Sequence, residues 1–281
     1  MFSIAAAVTR RSAPVAVVSA ATFCGMRALS TARVLLDAGP SDGKAPELKK
    51  FWRAVTLAEE KDGWQVLLDG RKVRTPKGTP LVVARDQTML AHLVSAEWEA
   101  QEKLLRAYSL PLTSIIVRSL DDLNDAEVRR ETIDKLMKFL QTDATCYLQE
   151  HPQVLVDLQE THWVPLVDWA RKRFGVELRT TTSLLAPAQP AATTATLRAH
   201  VETYSPLQLS AFERAVLTSK SFVIGLALVE GAVSAEEATA AASVEVQAQI
   251  DVYGEVEDAH DVDREDLQRT LASTALVVAK I

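Results

Sequence analysis

The chain has 281 residues, with 37 acidic and 31 basic side chains that give a net charge of −6 at pH 7. This acidic balance argues against nucleic acid and anionic membranes as partners. Cys24 lies in a leader that we expect to be removed, so Cys146 would remain alone and no disulfide framework is expected. The best apolar run, Phe222 to Val229, is far shorter than the ~20 residues that cross a bilayer, so we expect a soluble protein without membrane insertion.

The start of the chain has the composition of a targeting sequence. The first acid is Asp37, and the residues before it are rich in Ala, Val, Ser and Thr. Four arginines lie among them: Arg10, Arg11, Arg27 and Arg33. This pattern predicts a mitochondrial transit peptide over residues 1–33, cleaved near Ser30, and a location in the matrix. A secretory signal is the alternative. Such a signal needs a continuous apolar core, but the apolar stretch here, 14–23, is short and diluted by Ser and Thr. Removal of the whole of 1–33, with all four arginines, would change the net charge from −6 to −10.

The next segment predicts a small sheet. Residues 34–49 mix Gly, Pro, Asp and Lys without a period, which is typical of a linker. Four short β-rich runs follow, at 55–57, 64–68, 73–75 and 81–83. Asp62-Gly63 and Asp69-Gly70 lie between runs and suit tight hairpin turns. We therefore expect an antiparallel β meander.

A helix should pack across this meander. We expect Asp86 to cap it and Pro111 to stop it. Its apolar stripe consists of Leu90, Val94, Trp98 and Leu105. A tryptophan on such a stripe is more often a core residue than a contact residue, so we predict a structural role for Trp98. The N-terminal α+β domain is expected over residues 50–110.

Residues 111–281 are expected to form an all-α C-terminal domain. The predicted helices cover 113–120, a longer segment containing Ile133 to Leu140, two segments that begin at Pro152 and Pro165, and 194–204. Residues 142–147 should be an extended connection. Gly175 should end the helix that starts at Pro165. Pro187 and Pro190 should mark a loop. The fold class is thus α+β, with an N-terminal antiparallel β meander and packed helix before the helical domain.

The clearest helix signals begin at Ser205. Ser205 and Gln208 form a capping box, and the run 222–229 is apolar on every side and must be buried. Gly231 suits the end of that helix, and Ser234 with Glu237 opens the next one.

This next helix is expected to run without a break towards Gly254. Its apolar stripe should pack against the protein and consists of Ala242, Val246, Ile250 and Tyr253. Glu245 and Gln249, four residues apart, line an adjacent polar stripe. We predict that these two residues contact a partner.

Catalytic and metal motifs are missing from the sequence. No phosphate loop occurs, and the five histidines form neither a His-x-x-x-His nor a His-Glu-x-x-His pair. The run from Asp261 to Glu265 is similar to half of a calcium loop, but Asp266 stands where glycine is needed, so an acidic helix start is the better interpretation. We expect no enzyme activity, no catalytic residues, no metal and no cofactor.

Several motifs, which occur in order, resemble those of one family. They are Asp-Gly-Arg-Lys-Val at 69–73, Glu97-Trp98, Leu112-Thr113, Thr142-Asp143 with Cys146-Tyr147, Trp163-x-Pro165 with Trp169-Ala170, the spaced set Glu245, Gln249 and Tyr253-Gly254, and Ala259-His260-Asp261. From Phe51 to about His260 the chain resembles the ATP12 chaperone family. It departs from the family pattern at Val164, where an acid is common, at Val246 and Gln247, which dilute an acidic cluster, and at Tyr253, where tryptophan is usual.

The resemblance implies a binding function. The protein would hold the unassembled alpha subunit of the mitochondrial F(1) ATP synthase, protect it from aggregation and release it to the beta subunit during assembly. It would consume no ATP and would be a monomer when free. Two alternatives from other classes are a permanent soluble subunit of a mitochondrial complex and a small matrix hydrolase.

Overall fold

The computed structural model describes residues 48–183 and 188–279. The predicted transit peptide over 1–33, with its cleavage near Ser30, lies outside these residues. So do Pro187 and all of the predicted 34–49 linker except its last two residues. Those two residues, Leu48–Lys49, form strand β1, which pairs antiparallel with β6 (Leu104–Leu105).

A second sheet contains the predicted meander. Its antiparallel strands are β2 (Val55–Glu60), β3 (Gly63–Leu68), β4 (Arg71–Lys72) and β5 (Val82–Val83), with β3 paired to all of the others. The third strand is at Arg71–Lys72, not at 73–75, because a two-residue turn at Asp69-Gly70 pairs Leu68 directly with Arg71. Asp69 and Gly70 have φ values of 47° and 76°, as this turn requires.

Helix α1 (Thr88–Glu99) packs on the sheet and buries Leu90, Val94 and Trp98, as predicted. Its predicted ends were wrong. Gln87, not Asp86, occupies the N-cap position, and Ala100 is already the C-cap. Leu105 is not on this helix, because it lies in β6 opposite Leu48. Pro111 begins the next helix, where its missing N–H leaves no bond unmade.

The rest of the described chain is mainly helical, as predicted. The helices are α2 (Pro111–Asp121), α3 (Ala126–Gln141), α4 (Gln153–His162), α5 (Val164–Phe174), α6 (Ala191–Glu202), α7 (Pro206–Ser219), α8 (Phe222–Val229), α9 (Ala235–Ala242), α10 (Val244–Tyr253) and α11 (His260–Val278). Gly175 ends α5 with a φ of 63°, as expected. The predicted extended connection at 142–147 is wrong in part, since Ala144–Cys146 forms a 3₁₀ turn in which the side chain of Asp143 accepts the backbone N–H of Thr145.

Helices α7 and α8 form the centre of the helical part. The Ser205–Gln208 capping box is present, and every residue of α8 is buried, as the sequence predicts. The two helices approach closely at Gly225, where a Cβ would lie only 2.7 Å from Cγ2 of Val216. A side chain at Gly225 would therefore push α8 away from α7.

Two hydrophobic clusters fill the described protein, and α7 contributes to both. Ala211 belongs to the cluster formed by the sheet, α1 and α2, whereas Leu209 and Phe212 belong to the cluster formed by the later helices. Val277, near the end of α11, packs into the first cluster. The sheet therefore shares its core with elements far away in the sequence.

Candidate functional site

The predicted contact residues lie on α10, whose position depends on a break in the chain. The capping box of Ser234 and Glu237 opens α9, as expected. The prediction that this helix continues without a break towards Gly254 is wrong, because Ser243 (φ −100°, ψ 3°) separates α9 from α10. After this break, α10 packs against α4.

The break also changes which side of α10 is buried. Val244 and Ala248 are 1% and 5% exposed and form the packed side. The prediction that Val246 and Tyr253 pack against the protein is wrong, since Val246 is 44% exposed and Tyr253 is 85% exposed. A helix turns by about 100° per residue, so burying Val244 directs Val246 towards solvent.

Glu245 and Gln249 are both exposed on α10. Four residues apart, they are neighbours on one side of the helix. Glu245 lies in the first turn, where a carboxylate interacts favourably with the helix dipole. This arrangement leaves both side chains accessible to another protein.

The surroundings of α10 are acidic. No lysine or arginine occurs between Ser221 and Asp263. Four of the exposed acids in this stretch are Glu245, Asp251, Glu255 and Glu257. The basic group that follows, Arg264, already pairs with Glu255 at 3.2 Å. A partner that meets this surface therefore gains most if it is basic.

A groove of about 270 Å³ runs beside the packed side of α10. Its lining includes Leu158, His162, Thr239, Val244 and Gln247. It lies where α4, α9 and α10 meet, at the break that Ser243 introduces.

A cavity of about 660 Å³ lies between α2 and α7. Arg118 donates two hydrogen bonds to Glu213, of 2.9 and 3.0 Å, and one of 2.8 Å to Asp122. Lys77 also pairs with Asp122, at 2.8 Å. These four charged side chains of the lining are therefore already paired within the protein.

Trp98 lies away from α10, in the first hydrophobic cluster, and is 3% exposed. Its indole Nε1 donates to Oγ1 of Thr113 at 3.1 Å, and its ring lies 5.3 Å from that of Trp52. The indole therefore joins α1 to α2.

Glu97, which the sequence offered only as part of a motif, connects α1 to the start of α2. Its carboxylate accepts hydrogen bonds from the backbone N–H of Leu112, at 2.7 Å, and of Thr113, at 3.0 Å. Burial raises the pKa of this carboxyl group, although these bonds favour its charged form. The motif pairs Glu97-Trp98 and Leu112-Thr113 thus meet in space, which the sequence did not predict.

Asp143 is a second carboxylate with a capping role, and unlike the half-buried Glu97 it is fully buried. It accepts from Oγ of Ser221 at 2.7 Å and from the backbone N–H of Val223 at 2.9 Å, both at the start of α8. Thr145 donates through its N–H and its hydroxyl, at 3.1 and 2.9 Å. Burial raises the pKa of the Asp143 carboxyl group against the effect of these donors.

Another motif residue, Trp163, supports the region of the break. Its Nε1 donates to the carbonyl oxygen of Ala241 at 2.8 Å. This bond ties the junction of α4 and α5 to the last turn of α9, directly before Ser243. The tryptophan therefore helps to fix the direction in which α10 leaves.

Glu230 is the centre of a polar cluster at the end of α8. Its Oε1 accepts from Nε2 of His200 and from the hydroxyl of Tyr204, both at 2.8 Å. Arg173 lies 3.6 Å from its Oε2. Burial opposes the charge of Glu230, but these three groups lower the pKa of its carboxyl group. Burial also raises the pKa of the Tyr204 hydroxyl.

The described residues offer neither a metal site nor a membrane span. No group of three or more His, Cys, Asp or Glu side chains there is arranged to hold a metal ion. None of the helices in that part of the chain combines the length and apolar character needed to cross a membrane.

Comparison with known proteins gives consistent results. Residues 49–171 match the family model described as ATP12 chaperone protein. Protein atp12, mitochondrial, of Schizosaccharomyces pombe is 30% identical over 240 residues, covering 83% of this chain and 82% of that protein. Protein ATP12, mitochondrial, of Saccharomyces cerevisiae is 27% identical over 273 residues, covering 83% of this chain and 84% of that protein.

A solved structure has the same fold. The crystal structure of Atp12 from Paracoccus denitrificans superposes with a TM-score of 0.71 at 27% identity. The match covers 82% of this chain and 97% of the bacterial one. The shared fold therefore includes the sheet and the helical part.

Proposed function

The chain belongs to the ATP12 chaperone family, and from this premise we propose that it assists assembly of the mitochondrial F(1)F(o) ATP synthase by binding the unassembled alpha subunit. It prevents aggregation of that subunit and releases it to the beta subunit. The observation that carries the function is the similarity to the ATP12 proteins over most of the chain, and the exposure of Glu245 and Gln249 on α10 supports the proposed contact site.

A simple competition can drive this cycle. The chaperone covers the surface of the alpha subunit that later contacts beta, and it dissociates when beta competes for the same surface. Such exchange needs neither ATP hydrolysis nor a cofactor, and we propose no enzyme activity. We also propose that the free chaperone is a monomer in the matrix, where an acid-free leader with four arginines would direct it.

Charge reversal at Glu245 tests the proposed contact. Glu245→Lys exchanges attraction for repulsion if the residue faces a basic group of the alpha subunit, at a cost of up to a few kcal/mol when the contact is desolvated. We expect capture of newly made alpha subunit to fall while circular dichroism and melting stay unchanged. Glu131→Lys, a change of another exposed acid on α3, is the matched control.

The outcomes separate the site from the function. Normal capture by a well-folded Glu245→Lys protein would refute the site but not the function. Failure of the wild-type protein to capture the alpha subunit would refute the function itself. Sizing of native matrix extract adds a check, since a permanent subunit would migrate with a large complex and a chaperone would migrate free or with one client.

A further inference from the structure

The outward side of α10 carries apolar side chains that nothing in the described protein covers. Val246, Val252 and Tyr253 are 44%, 51% and 85% exposed, and Val256, three residues after the end of the helix, is 57% exposed. Val262, in the first turn of α11, is 58% exposed. Exposed apolar groups that occur together, unlike single ones, mark an interaction surface.

The helix repeat places two of these residues on one line. Val246 and Tyr253 are seven positions apart, so they point within about 20° of each other and lie roughly 10 Å apart along the axis. Gln249 lies between them on the same outward side. We call Val246, Gln249 and Tyr253 the outer row of α10.

Tyrosine is well suited to be the main contact of such a row. It offers a large ring with few rotatable bonds and a hydroxyl group that tolerates both water and a partner, and it is enriched among residues that dominate binding energy. Tyr253 is the most exposed of the large apolar side chains in the described protein. Its ring can be buried on binding without any rearrangement of the core.

Charge selects the kind of partner. The outer row lies in the stretch between Ser221 and Asp263 that has no lysine or arginine, and the exposed acids Glu245, Asp251 and Glu255 lie within a few residues of it in the sequence. A second copy of this surface would bring like charges together, which opposes self-association through it. A partner segment with lysine or arginine beside an apolar side chain complements both the acidic charge and the exposed apolar groups of this surface.

We propose that the outer row of α10 binds a basic, apolar segment of a partner protein, with Tyr253 as the main apolar contact. This inference rests on the proposed function, in which the partner is the alpha subunit. It adds that apolar contact at Tyr253, in addition to the charge of Glu245, holds the client. Because the chaperone covers the surface of the alpha subunit that later contacts beta, this client segment becomes buried when assembly is complete.

A photo-crosslinking amino acid at position 253 tests the contact in intact mitochondria. The expected product joins position 253 to the alpha subunit, and peptide mapping should find lysine or arginine next to the crosslinked apolar residue. The same amino acid at Met89, an exposed apolar position on α1, is the control and should give little product. No product at 253, or a product with an acidic segment, would overturn the inference.

Affinity measurements make the test quantitative. Tyr253→Ser should weaken capture of the alpha subunit by about tenfold or more, as expected for a dominant contact residue, without lowering the melting temperature. Tyr253→Phe, which keeps the ring, should weaken it far less. Leu217→Ser removes an exposed side chain of α7 and should change capture by less than about twofold. Equal capture by wild type and Tyr253→Ser would overturn the inference and leave the proposed function standing.

A different result would refute the proposed function alone. If position 253 crosslinks through a basic, apolar segment to an identified protein other than the alpha subunit, the surface is as inferred but the client is another protein. Tyr253→Ser must then weaken binding of that protein for the inference to hold.

Discussion

Glu97 caps a helix to which it does not belong: its carboxylate accepts the backbone N–H of Thr113 at 3.0 Å and the hydroxyl of the same residue at 2.8 Å. The N-cap residue of α2 is Leu110, which has no side chain that can accept a hydrogen bond. Glu97 on α1 supplies the missing acceptor. The two helices are thereby held at a fixed angle beside the sheet.

Replacement of this carboxylate should destabilise the protein. Glu97→Gln turns one of the acceptor atoms into a donor that faces other donors, so we expect the free energy of unfolding to fall by about 1–3 kcal/mol. Urea denaturation measures this change. Glu99→Gln, at an exposed position on the same helix, should change the free energy by less than about 0.5 kcal/mol. Equal losses in the two variants would contradict the capping role.

Trp98→Arg should destabilise the protein more strongly. The substitution places a charge beside Val94 and Trp52, which are both buried, and we expect a loss of about 4 kcal/mol or more. The melting temperature reports it. Trp98→Phe keeps an aromatic ring but removes the bond to Thr113, so its loss should be smaller. An unchanged melting temperature for Trp98→Arg would show that the indole does not support the fold.

The bonds of Asp143 can be tested with a double-mutant cycle. Asp143→Asn should lower the free energy of unfolding by about 2–4 kcal/mol, because its amide group cannot accept from all the donors that surround the carboxylate. Ser221→Ala removes one of these donors. The two substitutions together should differ from the sum of their separate effects by about 1 kcal/mol or more. Additive effects would mean that the bond of 2.7 Å contributes little.

Stability should depend on pH through Glu230. Its pKa is lower in the folded protein than in the unfolded chain, so its contribution is present above the unfolded value of about 4.3 and is lost as the pH falls through the folded value. Between about pH 5 and pH 3 the wild type should lose stability more steeply than Glu230→Gln. Chemical denaturation at several pH values measures both slopes. Parallel slopes would show that His200, Tyr204 and Arg173 do not stabilise the charge.

Local signals predicted parts of the fold accurately. The capping boxes at Ser205 and Ser234 were both confirmed, because each depends on residues only three positions apart. The burial of the 222–229 helix followed from its uniformly apolar sequence. The antiparallel meander was predicted from the turns at Asp62-Gly63 and Asp69-Gly70.

Features that depend on distant residues could not be predicted. The stripe through Val246 and Tyr253 has the spacing of a packed face, and nothing local shows that Ser243 interrupts the helix and turns that stripe outward. Likewise, Leu105 continues the pattern of α1, but pairing with Leu48 places it in a strand. The role of Glu97 could not be predicted either, since its partners start a different helix. Glu245 and Gln249 remain predicted contact residues, and the boundary between residues 110 and 111 remains a prediction.

The position of Val277 constrains the order in which the chain can fold. This residue completes the hydrophobic cluster that contains Val66 of β3, although the two are separated by most of the described sequence. A chain that emerges N-terminus first, from a ribosome or through a membrane pore, makes the sheet long before α11 arrives. Until then the hydrophobic cluster lacks Val277, and incompletely packed apolar surface of this kind makes a chain prone to aggregation. We therefore expect this cluster to reach its final packing only when the last helix docks.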